Sequence, residues 1–214
     1  MSLISQKALS KIKPNMSISL GGGSNVLNLA KDLCQAHISN LTLYSPSEIT
    51  QAKCKQFGLK VLPFIENLPH LDLAFDGCDS IDKNFNALKS GGGIHLFEKL
   101  AAENTEEYIL LLPAERFRDE LSPTIPLCLE NVINSIPEEY DYKIRLGKAV
   151  ASFARSPLGN ILIDIYPHTS WNNIKKLNSF LLKQNGVVSS SYFEGIVTSI
   201  ITETKNKAVE IKKG

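Results

Sequence analysis

The sequence predicts an α/β protein whose larger part is a mostly parallel, open β-sheet with helices on both faces. Three observations lead to this fold class. Apolar runs with strand character alternate with helical segments through the first half of the chain, which is typical of parallel sheets. A glycine-rich turn joins the first predicted strand to the helix that follows it. In the second half, short strands cluster and predict a small α+β domain.

The predicted elements of the first part follow one another in chain order. Helices are predicted at residues 5–12, 26–37, 46–57 and 94–102, and strands at 16–20, 41–44, 60–64, 71–75 and 108–112. In the second helix, apolar residues recur at the i, i+3, i+4, i+7 spacing of one helix face. For the third helix we expect Ser45 as N-cap, Pro46 at the first helical position and Glu48 completing a capping box. The pattern is Rossmann-like.

After about residue 121 the order of elements changes. Strands are predicted at residues 125–129, 142–146, 150–154 and 160–166, an amphipathic helix at 170–182, and strands at 187–193 and 196–202. Strand–strand–helix–strand order indicates an α+β domain of the ferredoxin-like kind. We therefore expect a larger domain of residues 1–121 and 195–214, and a smaller domain of residues 122–194.

Composition excludes several classes of protein. The 214 residues are 43% apolar and 21% charged with a net charge of +1, which argues against a nucleic-acid partner. Four scattered cysteines form no C-x-x-C pair, so neither a zinc site nor a disulfide framework is expected. The N-terminus lacks a signal-peptide apolar core, and no apolar run could span a membrane. We expect a cytoplasmic protein without metal, cofactor or membrane partner.

The first motif is the glycine-rich segment SLGGGSN at residues 19–25. A glycine turn between a strand and a helix exposes successive backbone N–H groups at the helix N-terminus, where the helix dipole favours an anion such as phosphate. The segment matches neither of the common nucleotide-binding fingerprints. A tight structural turn is therefore an equally good interpretation of this motif alone.

The second motif is DGCD at residues 76–79, directly after the apolar run 71–75. Gly77 lets the backbone turn sharply, so Asp76 and Asp79 are expected at the carboxyl edge of the sheet. Open α/β sheets bind ligands at that edge. An Asx-type turn that caps itself is the structural alternative.

The third motif is KSGGG at residues 89–93, followed by Glu98 on the next predicted helix. Three consecutive glycines cost backbone entropy, and close approach of a ligand to the backbone is a reason to keep them. Glu98 borders an apolar helix stripe, which should raise its pKa and make it a competent general base. The alternative is a partly exposed glutamate beside Lys99.

In this order and spacing, the motifs resemble those of the type A ribose-5-phosphate isomerases, whose GTGST-like, DGADE-like and KGGG segments precede an REK sequence. The resemblance implies isomerisation of D-ribose 5-phosphate to D-ribulose 5-phosphate in the pentose phosphate pathway, by a homodimer without metal or cofactor. It implies that Glu98 moves a proton between C2 and C1 through an enediolate. It also implies that Asp76, Asp79 and Lys89 assist ring opening and hold the sugar hydroxyls and the developing oxyanion.

The resemblance also implies a set of substrate-binding positions. They are Gly22, Gly23, Ser24, Asn25, Gly77, Cys78, Ser90, Gly91, Gly92 and Arg116. The chain departs from the family pattern at the phosphate end. Hydroxyl residues of the phosphate loop are replaced by Gly22 and Asn25, a lysine near the first helix falls at or before Met1, and Arg116 replaces another lysine. We therefore expect weaker phosphate binding than is usual in the family.

Two other functions remain open at the level of sequence. The same sheet architecture serves effector-binding domains of sugar-responsive regulators and relatives of coenzyme A transferases, so a non-catalytic sugar-phosphate-binding domain is one alternative. An isomerase of a different phosphosugar is the other. Retention of Asp76, Asp79, Lys89 and Glu98 together favours an enzyme, because a protein that only binds a sugar phosphate has no need of the base.

Overall fold

The computed structural model describes residues 2–64, 69–134, 136, 140–147 and 152–214. In chain order the elements are α1 (Leu3–Leu9), β1 (Ser17–Leu20), α2 (Ser24–Ala36), β2 (Thr42–Ser45), α3 (Glu48–Gln56), β3 (Val61–Pro63), β4 (Leu71–Asp76), β5 (Ser80–Asp82), β6 (Ala87–Leu88), α4 (His95–Glu103), β7 (Thr105–Leu111), β8 (Phe117–Arg118), β9 (Leu127–Asn131), β10 (Tyr142–Ile144), β11 (Ile161–Ile165), α5 (Ile174–Leu181), β12 (Val187–Ser190), β13 (Tyr192–Phe193), β14 (Ser199–Thr204) and β15 (Lys207–Lys212). A 3-10 turn at Ala114–Arg116 precedes β8.

The chain divides into two compact units. Unit 1 comprises Met1–Cys78, Phe97–Phe117 and Gly195–Gly214, and unit 2 comprises Asp79–Leu96 and Arg118–Glu194. The predicted fold class, an α/β protein with a mostly parallel sheet and a second α+β part, is confirmed. Among the described residues, no helix combines the length and the apolar character that crossing a membrane requires.

Unit 1 is built on a seven-stranded sheet in the order β15-β14-β7-β4-β1-β2-β3. Its strand pairs are parallel except for β14 and β15. Leu20, at the end of β1, lies opposite Phe75 on β4. In the sheet, β1 lies between β2 and β4. The chain first adds β2 and β3 on one side of β1 and later adds β4 and β7 on the other side. Such a switch point is where open α/β sheets bind ligands.

The core of unit 1 forms because helix stripes cover the apolar sheet. The predicted face of α2 (Val26, Leu29, Ala30, Leu33) is buried against strand residues such as Ile18, Phe75 and Ile109. Each fully buried Leu, Ile or Phe side chain contributes roughly 1.5–3 kcal/mol by leaving water. This packing fixes the strand ends on which the glycine-rich segment and the DGCD motif lie.

Unit 2 contains the four-stranded sheet β10-β11-β9-β12 and the strands β13-β6-β5 of a second sheet. Their registered pairs are antiparallel. The apolar side of α5 packs with Leu127, Leu129 and Ile163 in one core. Trp171 belongs to that core, and its indole N–H donates to the backbone carbonyl oxygens of Ser122 and Ile125 at 3.1 Å. Trp171 is thus a packing residue of this unit.

The two compact units differ from the predicted domains at two places. Residues 79–96 and 118–121 fall in unit 2, whereas the sequence analysis places both in the larger domain. The reason is the pairing of β5 with β6 and of β6 with β13. Strands of two or three residues are too short to show apolar periodicity in a sequence, and β13 is contributed from a hundred residues further along the chain.

The structure also differs from the sequence analysis in local details. Ser47, not Ser45, caps α3, accepting a hydrogen bond from the Thr50 N–H at 3.2 Å. Ser45 is the last residue of β2, and its hydroxyl donates to the Leu20 carbonyl oxygen. The strand predicted at 150–154 begins on residues outside the described ones, and Phe153 takes part only in an isolated bridge. The strand β15 has no counterpart among the predicted elements.

Candidate active site

The carboxylate of Asp76 is the centre of the site in unit 1. Asp76 ends β4 and is 2% exposed. One oxygen accepts hydrogen bonds from the Gly22 N–H at 2.9 Å and the Gly77 N–H at 2.7 Å, and the other accepts from the Tyr108 hydroxyl at 3.1 Å. A buried carboxylate is stable only when it is hydrogen-bonded in this way. Asp76 therefore ties the glycine-rich loop after β1 to the end of β4.

The glycines of this loop are required by close packing. A Cβ atom on Gly21 would lie 2.1 Å from the Cγ of Asp76, and one on Gly77 would lie 3.2 Å from the Gly22 carbonyl oxygen. The Gly21 N–H also donates to the Phe75 carbonyl oxygen at 2.8 Å. Two backbone segments thus approach each other directly, which side chains at these positions would prevent.

Glu98 lies beside the same loop. It sits in the first turn of α4 and is 5% exposed. A Cβ on Gly22 would be 3.7 Å from its Oε1. Burial, followed by the negative charges of Asp76 and Glu98, raises the pKa of Tyr108 well above its ordinary value. Asp76 and Glu98 therefore both lie next to Gly22, and the neutral Tyr108 hydroxyl donates to Asp76.

A cavity of about 540 Å³ opens at the N-terminus of α2. Gly23, Ser24 and Asn25 line it where the helix begins, together with Gly77 from the DGCD motif. Gly23 is the N-cap with φ of 103°, a conformation that favours glycine. Because the cap residue has no side chain, the backbone N–H groups of the first turn are left to other acceptors.

Two cations line this cavity. Arg116 belongs to the 3-10 turn after β7, and one of its guanidinium nitrogens donates to the Cys78 carbonyl oxygen at 2.6 Å. Lys205 lies in the turn between β14 and β15 and is exposed. Glu115 and Glu203 also line the cavity. The combination of helix N-terminus, hydroxyl and two cations suits a phosphate dianion.

The remaining site residues lie in unit 2. One carboxylate oxygen of Asp79 accepts hydrogen bonds from the Ser90 N–H at 2.7 Å and the Gly91 N–H at 2.8 Å. A Cβ on Gly91 would be 3.2 Å from the other oxygen of Asp79. Lys89 is 5% exposed, with its ammonium 5.9 Å from the centre of the Phe193 ring. Asp79 thus anchors the second glycine-rich loop.

The predicted site residues therefore form two groups. Gly22, Asp76 and Glu98 come together in unit 1, where Ser24, Asn25 and Arg116 share a cavity with Gly23 and Gly77. Asp79, Ser90 and Gly91 come together in unit 2. Among the residues that the structure describes, no three His, Cys, Asp or Glu side chains are grouped so that they could hold a metal ion.

Sequence reasoning missed Tyr108 and Lys205. Tyr108 stands in a predicted strand, and a buried tyrosine hydroxyl needs a hydrogen-bond partner, so this feature could have suggested a contact with a nearby acid. Lys205 gave no such signal, because it reaches the cavity through the hairpin of β14 and β15, which the sequence analysis did not recognise.

A family model and named relatives match this chain. The family described as ribose 5-phosphate isomerase A (phosphoriboisomerase A) matches residues 42–207. The ribose-5-phosphate isomerase A of Bifidobacterium longum subsp. infantis is 28% identical, covering 94% of this chain and 89% of its own. That of Lactiplantibacillus plantarum is 27% identical, covering 95% and 92%. The chain belongs to the ribose 5-phosphate isomerase A family.

Solved structures support the fold. The ribose 5-phosphate isomerase A of Methanocaldococcus jannaschii has a TM-score of 0.86 at 23% identity, covering 99% of this chain and 97% of its own. A D-ribose-5-phosphate isomerase in complex with phospho-erythronic acid has a TM-score of 0.88 at 22% identity, covering 98% and 96%. At these identities the likeness establishes the shared fold.

Gly21→Ala should destabilise the protein, because its Cβ would overlap a side chain held by three hydrogen bonds. We expect a cost of roughly 1–3 kcal/mol from overpacking, or a melting temperature lower by about 2–12 °C for a chain of this size. Gly22→Ala is the matched control for stability, since its Cβ would make an ordinary contact. Equal melting temperatures of the two variants would contradict the close packing of Gly21 on Asp76.

Lys99, beside Glu98 on α4, should make stability depend on pH. Burial lowers the pKa of Lys99 to about 8 from 10.5, although Glu103 opposes the shift. Between these values the unfolded chain binds more protons than the folded chain, so the free energy of unfolding should rise with pH. We expect Lys99→Met to be more stable than the parent at pH 7 and to lose this rise, measured by urea denaturation from pH 7 to 10. Lys55→Met, at an exposed position of α3, should keep it.

Proposed function

We propose that this protein interconverts D-ribose 5-phosphate and D-ribulose 5-phosphate through an enediolate, with Glu98 as general base. The observation that carries the proposal is the buried Glu98 carboxylate beside Gly22, at the switch point of the sheet, in a chain of the ribose 5-phosphate isomerase A family. The reaction is that of an intramolecular oxidoreductase, and it belongs to the pentose phosphate pathway.

The chemistry needs one base and donors for developing negative charge. In the open-chain aldose, the base takes the proton from C2, the electron pair forms the C1–C2 double bond, and the C1 carbonyl oxygen becomes negative. The proton then returns to C1, while the C2 hydroxyl loses its proton as it becomes the carbonyl and the C1 oxygen gains one. C1 is reduced and C2 is oxidised, so no external oxidant is involved. A carboxylate in an apolar setting is suited to both transfers.

We assign different roles to Asp76 and Glu98. Both oxygens of Asp76 already accept hydrogen bonds from Gly22, Gly77 or Tyr108. Those bonds hold the loop, so we assign Asp76 to assistance in ring opening and to support of the loop. Glu98 stands on a helix, a rigid element that can keep a base in position.

Asp79 and Lys89 complete the proposed catalytic set. The buried ammonium of Lys89 is a donor for the oxyanion that develops on the sugar, since preorganised positive charge is most effective away from water. One Asp79 oxygen holds the Ser90 and Gly91 N–H groups. We propose that its other oxygen accepts a hydrogen bond from a sugar hydroxyl during ring opening.

The cavity at the start of α2 is the proposed phosphate site. The backbone N–H groups of Gly23 to Asn25 and the hydroxyl of Ser24 would donate to phosphate oxygens. Arg116 and Lys205 would supply positive charge from two different turns of unit 1.

We further propose a cytoplasmic, homodimeric enzyme. All four cysteines carry thiols, which suits a reducing compartment. A dimer is supported by exposed apolar side chains of unit 2 (Val132, Ile133, Leu146, Phe153 and Val188), since exposed apolar surface often marks a contact between proteins.

A coupled assay on ribose 5-phosphate and a panel of pentose and hexose phosphates tests the proposed reaction. Conversion of ribose 5-phosphate with the highest kcat/KM of the panel supports it. Faster conversion of another phosphosugar would favour an isomerase with a different substrate. A rise in melting temperature with ribose 5-phosphate, without any turnover, would favour a binding domain.

Glu98→Gln should abolish proton transfer and keep ligand binding. The amide has the size of the acid but no basicity, so we expect kcat to fall by roughly two to four orders of magnitude. Binding of phospho-erythronic acid, measured by calorimetry, should stay within a few fold of the parent. Near-native turnover in this variant would refute the assignment of the base.

Substitutions at the cavity should weaken phosphate binding. Ser24→Ala and Arg116→Ala should each lose on the order of 1–3 kcal/mol of binding if they donate to the phosphate, seen as a raised KM with little change in kcat. Lys205→Ala should raise KM less, by about 3–10-fold, because its ammonium is exposed. Lys207→Ala removes a neighbouring exposed lysine that does not line the cavity and is the control. Parent-like KM values in all three variants would place the phosphate elsewhere.

A further inference from the structure

Arg145, which follows β10 in unit 2, connects an ion pair to the second glycine-rich loop. Its Nε donates to Asp164 Oδ2 at 2.9 Å, and one terminal nitrogen donates to the other oxygen of Asp164. The remaining terminal nitrogen donates to the Gly91 carbonyl oxygen at 3.2 Å. The planar guanidinium thus forms a two-bond fork with one carboxylate and presents its third nitrogen to the loop.

The pair is itself held rigidly. Asp164 is 8% exposed and lies on β11, and the Arg145 N–H donates to the Leu162 carbonyl oxygen on the same strand at 2.8 Å. The side chain of Leu162 also borders the loop, since a Cβ on Gly93 would lie 2.3 Å from its Cδ1. Strand β11 therefore supports the loop at two points, through Leu162 packing and through the Arg145 hydrogen bond.

The hydrogen bond to Gly91 determines where the next N–H group points. In a trans, planar peptide group, the carbonyl and the N–H point in opposite directions. Because the Gly91 carbonyl is turned towards Arg145, the Gly92 N–H is turned away from it. On the other side, Asp79 holds the Ser90 and Gly91 N–H groups. Asp79 and Arg145 thus fix consecutive peptide groups of a loop whose glycines would otherwise adopt many conformations.

We infer that Arg145 and Asp164 are positioning residues that aim the N–H of Gly92, an exposed residue, at a sugar oxygen on which negative charge develops. The inference rests on the proposed function for the identity of the ligand, an open-chain sugar phosphate. An ion pair that served only stability would need no more than the two hydrogen bonds between Arg145 and Asp164. The third bond, to a main-chain carbonyl in a glycine-rich loop, couples the pair to a donor, and a preorganised donor is worth most in the transition state.

The test compares Arg145→Met and Asp164→Asn with Arg155→Met. Arg155 is a matched control, because it also lies in unit 2 and donates to a glycine carbonyl oxygen, that of Gly159 at 2.8 Å. We expect kcat for ribose 5-phosphate to fall by about 10–100-fold in Arg145→Met, with KM changed less than threefold, since misaligning a donor costs less than removing one. Asp164→Asn should lower kcat by about 3–30-fold, and Arg155→Met should match the parent.

A second readout does not depend on turnover. In ¹⁵N-labelled protein, phospho-erythronic acid should shift the Gly92 amide resonance of the parent, and Arg145→Met should broaden or lose that resonance while the melting temperature stays within a few degrees. If the parent shows this shift but no turnover, the proposed reaction fails and the positioning role stands. Parent-like kcat in Arg145→Met with an unchanged Gly92 resonance overturns the inference. A lowered melting temperature with parent-like kcat in the folded protein also overturns it and leaves a purely structural pair.

Discussion

The site in unit 1 depends on one buried carboxylate. Asp76 accepts hydrogen bonds from the N–H groups of Gly22 and Gly77 and from the Tyr108 hydroxyl, and it is almost completely shielded from water. An ionised group in such a position is destabilising if any of its partners is lost. The loop after β1, the turn after β4 and the side chain from β7 are therefore fixed together, and the position of the loop relative to Glu98 follows from them.

The second aspartate of the DGCD motif uses the same physics in unit 2. Asp79 accepts two consecutive N–H groups from the loop after β6, as Asp76 accepts N–H groups at the loop after β1. In each case a glycine makes room for the carboxylate, at Gly21 and at Gly91. Glycine-rich loops are flexible, and a carboxylate that accepts their N–H groups converts them into rigid sets of donors. The two aspartates of the motif thus have a structural role, which is to hold two glycine-rich loops in place.

Sequence reasoning predicted the parallel sheet, the stripe of α2 and the place of Asp76 at the carboxyl edge, because these depend on periodicity and on the edge of a parallel sheet. The grouping of Asp76 with Gly22 was implied by the family resemblance. It could not predict that Ala87 and Leu88 pair with the strand Tyr192–Phe193, since short antiparallel strands carry no periodic signal. It missed the N-cap at Ser47, because Ser45 is followed by Pro46 and, three residues on, by Glu48, which is the pattern of an N-cap with a capping box. Lys205 and Arg145 were missed for a common reason: each reaches its site from a distant part of the chain.

The organisation around Asp76 also explains how the loop after β1, the proposed phosphate loop, tolerates unusual side chains. Gly22 and Asn25 stand where the family has hydroxyl residues, yet the path of the backbone is set by Asp76, by the Gly21 N–H bond to Phe75 and by the start of α2. Backbone N–H groups donate equally well whichever side chain follows them. What the substitutions remove is side-chain hydrogen bonds, and cations on separate turns can supply others in their place. Because Arg116 and Lys205 of the proposed phosphate site belong to such turns, phosphate affinity could change there independently of the loop geometry beside Glu98.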